Sequence, residues 1–197
     1  MMIQAISGIG AAFGLASSAG LNAYIPLLLV ALAARFPSGD PLLHLAQPYD
    51  VIGSWWAIGL LAVLLFIEMT VDKIPAVDTL NDAIQTFIRP AAGAVLFAAN
   101  ANVITDIHPI LALGAGLFVA GGVHAAKGAV RPLVTATTAG TGNWIVSLVE
   151  DVVAFFMSLL AIVLPILAGI TFLALALFIV VVYRRRKQRR NPSFSKG

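Results

Sequence analysis

The chain has 197 residues, 60% of them hydrophobic and 11% charged, with a formal net charge of +3 and a mean hydropathy of +0.97. Soluble domains average about 25% charged residues, so a soluble globular fold is the reading these values exclude first. With no cysteine, disulfides, thiolate catalysis and Cys-ligated metals are excluded too.

In chain order, "MMIQAISGIG" has no basic n-region and runs on into helix-like sequence, so it reads as a retained membrane segment and not a cleaved signal. Residues 3–34 are apolar but rich in small side chains (Gly8, Gly10, Gly14, Ser17, Ser18, Gly20) that let helix backbones approach closely. Asn22 and Pro26 in "GLNAYIP" predict a break or kink in this run. The three prolines of "RFPSGDPLLHLAQPYD" predict an extramembrane loop, and Trp55–Trp56 after it suit a membrane interface. The next spans are residues 53–67, 84–104 and 110–134, the last carrying His124, Lys127, Arg131 and Pro132. "NANVITDIHP" reads as a polar turn and "TATTAGTGN" as a connector; the latter lacks the lysine of a phosphate-binding P-loop. Residues 152–183 contain no charge. As one straight helix they would reach about 48 Å against a hydrocarbon core of about 30 Å, so they either tilt and kink at Pro165 or divide into two segments.

Seven of the twelve basic residues lie in the tail "RRRKQRRNPSFSK", leaving residues 1–183 with a net charge of −4. The positive-inside rule puts residues 184–197 in the cytoplasm, in contact with anionic headgroups and not with nucleic acid.

The two halves resemble each other. An offset of 106 residues aligns Gly8 with Gly114, Gly10 with Gly116, Ala19 with Ala125, Ala23 with Ala129 and Pro26 with Pro132. With gaps, Glu68 matches Glu150 and "RPAAG" (89–93) matches "LPILAG" (164–169). Three crossings per half would give the halves opposite orientations, the inverted-repeat plan of many transporters. The expected fold is therefore all-α and polytopic, with about six membrane segments, some broken or re-entrant. Residues 1–183 would form one transmembrane domain with halves at 3–105 and 109–183.

Ionisable residues at membrane depth must face water, pair or neutralise. The candidates for a substrate or ion site are Glu68, Asp72, Lys73, Arg89, Lys127, Arg131, Glu150 and Asp151. Glu68 and Asp72 share a face on a continuous helix, as do Lys127 and Arg131. Asp78 suits an N-cap and Asp82 the first turn of the following helix. Arg89 and Arg131 each precede a proline and offer planar forks to a carboxylate or phosphate; internal pairs such as Arg131 with Glu150 or Arg89 with Asp72 are the structural alternative. His124, three residues before Lys127, is a candidate for proton handling. Asn22 either pairs with backbone opened by Pro26 or lines a pore. The sequence contains no HExxH, GxSxG or dinucleotide glycine fingerprint and no metal-ligand spacing, so neither an enzyme nor a metal or other cofactor is expected.

"IEMTVDKIPAVDTLNDAIQTFIRPAAGAV", "HAAKGAVRPLV" and "SLVEDVVAFFMSLLAIVLP" together resemble a bacterial membrane family catalogued as domain of unknown function 4126 over residues 8–170. The resemblance implies a multi-pass protein of the bacterial inner membrane and no particular activity; family members often carry arginine at the position of Asn22. Three readings of function stay open. One is a transporter or channel moving an ion or small anion through a charged site at the repeat interface. The second is a non-transporting scaffold or lipid-interacting protein. The third is translocation of lipid headgroups. Membrane lipids are the expected partners, and the size suits a homodimer.

Overall fold

A computed structural model describes residues 2–71, 75–101, 107–138 and 142–190. These residues form seven α-helices, and there is no strand among them. The helices are α1 (Met2–Leu21), α2 (Tyr24–Arg35), α3 (Trp55–Val71), α4 (Pro75–Ala101), α5 (Pro109–Thr138), α6 (Asn143–Val163) and α7 (Pro165–Arg190). A short 3-10 turn at Tyr49–Gly53 ends the long loop before α3.

Helix α1 is the hub and packs against α4, α5, α6 and α7. Its composition explains that position. Ala12, Leu15, Ala16 and Ala19 are fully buried, and its glycines meet neighbouring backbone directly. A Cβ at Gly10 would collide with the Pro165 carbonyl, and one at Gly14 would come 2.9 Å from the Ala161 Cβ. Helices α4 and α5 make the most extensive contact in the fold, and they use the same device. Gly116 lies against Gly93, Ala94 and Phe97, and Gly93 against Ala120. A side chain larger than hydrogen at these crossings would push the helices apart.

The break predicted near Asn22 falls at Asn22–Ala23, between α1 and α2. The Asn22 side-chain oxygen accepts hydrogen bonds from the Tyr24 and Ile25 N–H groups at 2.9 and 3.1 Å, satisfying donors that the first turn of α2 would otherwise leave open. The run 152–183 is divided. Leu164 leaves helical geometry (φ −131°, ψ 63°), and Pro165, which has no N–H to donate, opens α7.

Two boundaries differ from the sequence expectation. Helix α4 starts at Pro75, so Asp78 is a helical residue in its first turn and not an N-cap. Proline at the first helical position has the required φ and gives up an N–H that would have no partner there. Helix α5 continues through Thr138 into the expected connector. The Thr135 and Thr138 hydroxyls donate to the Arg131 and Val134 carbonyls one turn back, which lets threonines persist in the last turn.

Outward faces are apolar. Trp56, Phe66, Phe87, Phe118, Phe156 and Phe178 are all exposed, and α5 and α6 are each long and apolar enough to cross a membrane. At the start of α3 the Arg35 guanidinium lies 5.1 Å from the Trp55 ring.

Candidate functional site

Helix α4 sends one row of side chains inward: Gln85, Arg89, Ala92, Leu96 and Asn100, at intervals of three and four residues, while Ile84 and Phe87 face outward. Arg89 is 1% exposed and Glu68, on the last turn of α3, is 3% exposed. The Arg89 Nη2 donates to Glu68 Oε1 at 3.1 Å. The remaining Arg89 groups, Nε and Nη1, are buried without a hydrogen-bond partner, as is Gln85 Oε1 one turn earlier. Gln85 lies beside the Tyr24 side chain, which is within the electrostatic reach of both Glu68 and Arg89. A guanidinium this deep needs its carboxylate, because an unpaired charge away from water carries a penalty of several kcal/mol.

A second ion cluster joins α5 to α6. Lys127 Nζ lies 2.6 Å from Glu150 Oε2, and Arg131 Nη2 lies 4.0 Å from the same oxygen. One carboxylate thus serves two cations placed one helical turn apart. The two clusters are not isolated, since the positive charge of Arg89 acts on Lys127.

The second cluster reaches the α1–α2 break. Lys127 Nζ also donates to the Leu21 carbonyl at 3.4 Å, one of the acceptors left open where α1 ends. Asn22 Nδ2 donates to Asp151 Oδ1 at 2.9 Å, so this asparagine caps α2 and holds α6 at once. Lower on the same interface, the Ser18 and Ser158 hydroxyls lie 2.6 Å apart, and each is 2.7 Å from the Ala154 carbonyl.

Beside the second cluster a cleft of about 210 Å³ lies between α4 and α5, lined by Ala83, Thr86, His124, Lys127, Gly128 and Arg131. His124 Nε2 and Thr86 Oγ1 are 3.2 Å apart across it.

Of the eight sequence candidates, the structure brings together Glu68, Arg89, Lys127, Arg131, Glu150 and Asp151, with His124 at the edge. Asp72 and Lys73 lie outside the described residues. The expected Arg131–Glu150 pair is present at the longer distance, with Lys127 closer, and the partner of Arg89 is Glu68. Gln85, Tyr24, Thr86 and Ser158 were not singled out from the sequence, and Ser18 was read there only as a small packing residue. Gln85 alone carried a signal, lying four residues before Arg89 on the same helix face. Among the described residues no group of three His, Asp or Glu side chains is arranged to hold a metal.

No curated protein and no solved structure matches the chain. A family model does, over residues 9–185, a span that includes every residue of both ion clusters and the helix break. The chain belongs to the family described as domain of unknown function DUF4126.

Proposed function

We propose that this chain crosses the bacterial inner membrane about six times and moves a small ion or anionic solute through the polar site at the α1–α2 break. The observation that carries the reading is the break itself. A helix interrupted at the centre of the fold, with Lys127 on the exposed carbonyl end of one half and Asp151 on the residue capping the other, is the arrangement discontinuous transporter helices use to present backbone charge to a solute. Ion pairs at such depth cost stability relative to apolar packing, which favours a functional reason for keeping them.

The apolar outer faces support placement in lipid. The basic tail, by the positive-inside rule, puts the C-terminus in the cytoplasm.

An internal duplication is supported by contacts between matched residues. Gly10 lies against Gly169, and Gly116 against Gly93. The sequence offset pairs Gly10 with Gly116, and the gapped match pairs Gly169 with Gly93. Lys127 touches Leu21, its own equivalent 106 residues earlier, a contact a pseudo-two-fold axis produces where the two first helices cross.

Flux measurements in proteoliposomes across protons, alkali cations, halides and phosphate-type anions test the reading. Transport of one solute that falls in Lys127→Met and Glu150→Gln is expected. If no solute moves, and these variants only lose thermal stability, transport is overturned. The second reading, a non-transporting scaffold, draws on the pairing of the charges, since Glu68–Arg89 and Lys127–Glu150 can serve purely to fix helix positions. It predicts that absence of flux, together with a stoichiometric partner on purification from the native membrane.

A further inference from the structure

The two matched stretches hold equivalent residues in different conformations. The offset of 106 residues sets Asn22 against Gly128 and Pro26 against Pro132. In the first stretch the helix breaks at Asn22–Ala23, and Pro26 lies in the first turn of α2. In the second, α5 runs through Gly128 without interruption and keeps Pro132 inside it.

The spacing explains where each backbone is weak. A proline has no N–H for the carbonyl four residues earlier, and its ring crowds that carbonyl. For Pro26 that residue is Asn22, where the chain leaves α1. For Pro132 it is Gly128, so α5 is weakened at the position equivalent to the break. Glycine is also the residue most easily released from helical geometry. A Cβ at Gly128 would meet no atom within 4 Å, so no close helix crossing requires a glycine there.

The chain beyond each point is placed differently. Helix α2 turns into the fold and buries Tyr24, Ile25, Val30 and Ala31. Among the described residues of α5 beyond Lys127, none is buried. Contacts with α6 hold this segment outward: Arg131 Nη2 lies 4.0 Å from Glu150 Oε2, and Thr135 Oγ1 lies 3.1 Å from Asn143 Oδ1. Lys127 itself is buried and donates to the carbonyl of Leu21, the last residue of α1. The inward and outward parts of α5 therefore meet at Gly128.

We propose that α5 is a two-state helix hinged at Gly128. In the second state it ends at Lys127, and residues 129–138 form a separate segment, as α2 does after Asn22. Arg131 then leaves the helix face it shares with Lys127. The inference rests on the duplication proposed above and gives the proposed transport site a moving part.

The chain has no cysteine, so spin labels at Leu111→Cys and Ala136→Cys, both exposed positions, report on α5 alone. An unbroken helix separates the two backbones by about 38 Å, at about 1.5 Å per residue. Pulsed electron–electron double resonance on the full chain in lipid nanodiscs is expected to show this distance together with a second, shorter one. Gly128→Ala should lower the shorter population about fivefold through helix propensity, and Pro132→Ala should lower it by restoring the missing N–H. Gly128→Asn supplies the cap that Asn22 gives α2 and should raise it. A single distance near the unbroken value in both the unsubstituted helix and Gly128→Asn overturns the hinge. So does a shorter population that Gly128→Ala and Pro132→Ala leave unchanged. A shorter population that falls in Gly128→Asn as well keeps the hinge and removes its equivalence with the α1–α2 break. Flux separates the hinge from transport: two α5 conformations without flux keep the hinge and remove transport, whereas flux with one unbroken α5 keeps transport and removes the hinge.

Discussion

Lys127 stands between two negative ends, 2.6 Å from the Glu150 carboxylate and 3.4 Å from the Leu21 carbonyl that closes α1. The ammonium therefore ties three helices, α1, α5 and α6, at the point where α1 stops. Removing either charge alone leaves the other buried without its closest partner, at a cost of about 3–5 kcal/mol. Lys127→Met and Glu150→Gln should each lower the unfolding midpoint in detergent sharply, and the double variant should be less destabilised than the two losses added together. A double-mutant cycle on chemical unfolding measures this. Additive losses would mean that the 2.6 Å contact is not energetically significant.

The Glu68–Arg89 pair should respond asymmetrically. A guanidinium keeps its proton inside a protein, while a carboxylate left alone can take one up and become neutral. Glu68→Gln leaves a permanent charge without its carboxylate among groups that are 1–3% exposed, whereas Arg89→Met leaves Glu68, a group that can discharge itself. Glu68→Gln is expected to be the more destabilising of the two, read from thermal unfolding of both variants side by side. The opposite order would show that Arg89 is held mainly by interactions other than its bond to Glu68.

The crossings built on glycine make a sharper prediction, because the same substitution has opposite effects at different sites. At Gly10, Gly93 and Gly116 an added methyl meets backbone or a Cβ of the neighbouring helix, and overpacking of this kind costs about 1–3 kcal/mol. At Gly114 and Gly122 nothing lies within 4 Å, so alanine there should be neutral or should stabilise by up to about 1 kcal/mol through helix propensity. Five single Gly→Ala variants compared by thermal unfolding decide the matter. Equal losses at all five would mean that these glycines serve flexibility and not close approach.

These comparisons also mark where the sequence was legible. The all-helical class followed from long apolar runs, and the break at Asn22 from a polar side chain followed by proline. The division of residues 152–183 at Leu164 came down to one signal, Pro165, which sequence could read equally as a kink. Partner choice was harder. Arg89 lies 21 positions from Glu68, and only the return of α4 alongside α3 sets Glu68 Oε1 against its Nη2. Ser18 and Ser158 are 140 residues apart, and a serine among alanines carries no mark of the partner it will meet.

The last prediction separates lipid from water along one helix. Thr86 lines the α4–α5 cleft, and the next residue, Phe87, points outward and is 79% exposed. The chain has no cysteine, so single cysteines at these positions report without background. With the protein in sealed proteoliposomes, a membrane-impermeant maleimide should label Thr86→Cys, because charged side chains such as Lys127 and Arg131 at membrane depth draw in water. Phe87→Cys should label poorly while the bilayer is intact and fully once detergent is added, because the proposed membrane placement exposes it to acyl chains, where thiolate formation is suppressed. Rapid labelling of both in intact vesicles would place this face of α4 in water and overturn the membrane placement. Protection of both until detergent is added would make the cleft a lipid-filled groove, incompatible with an aqueous path for a solute.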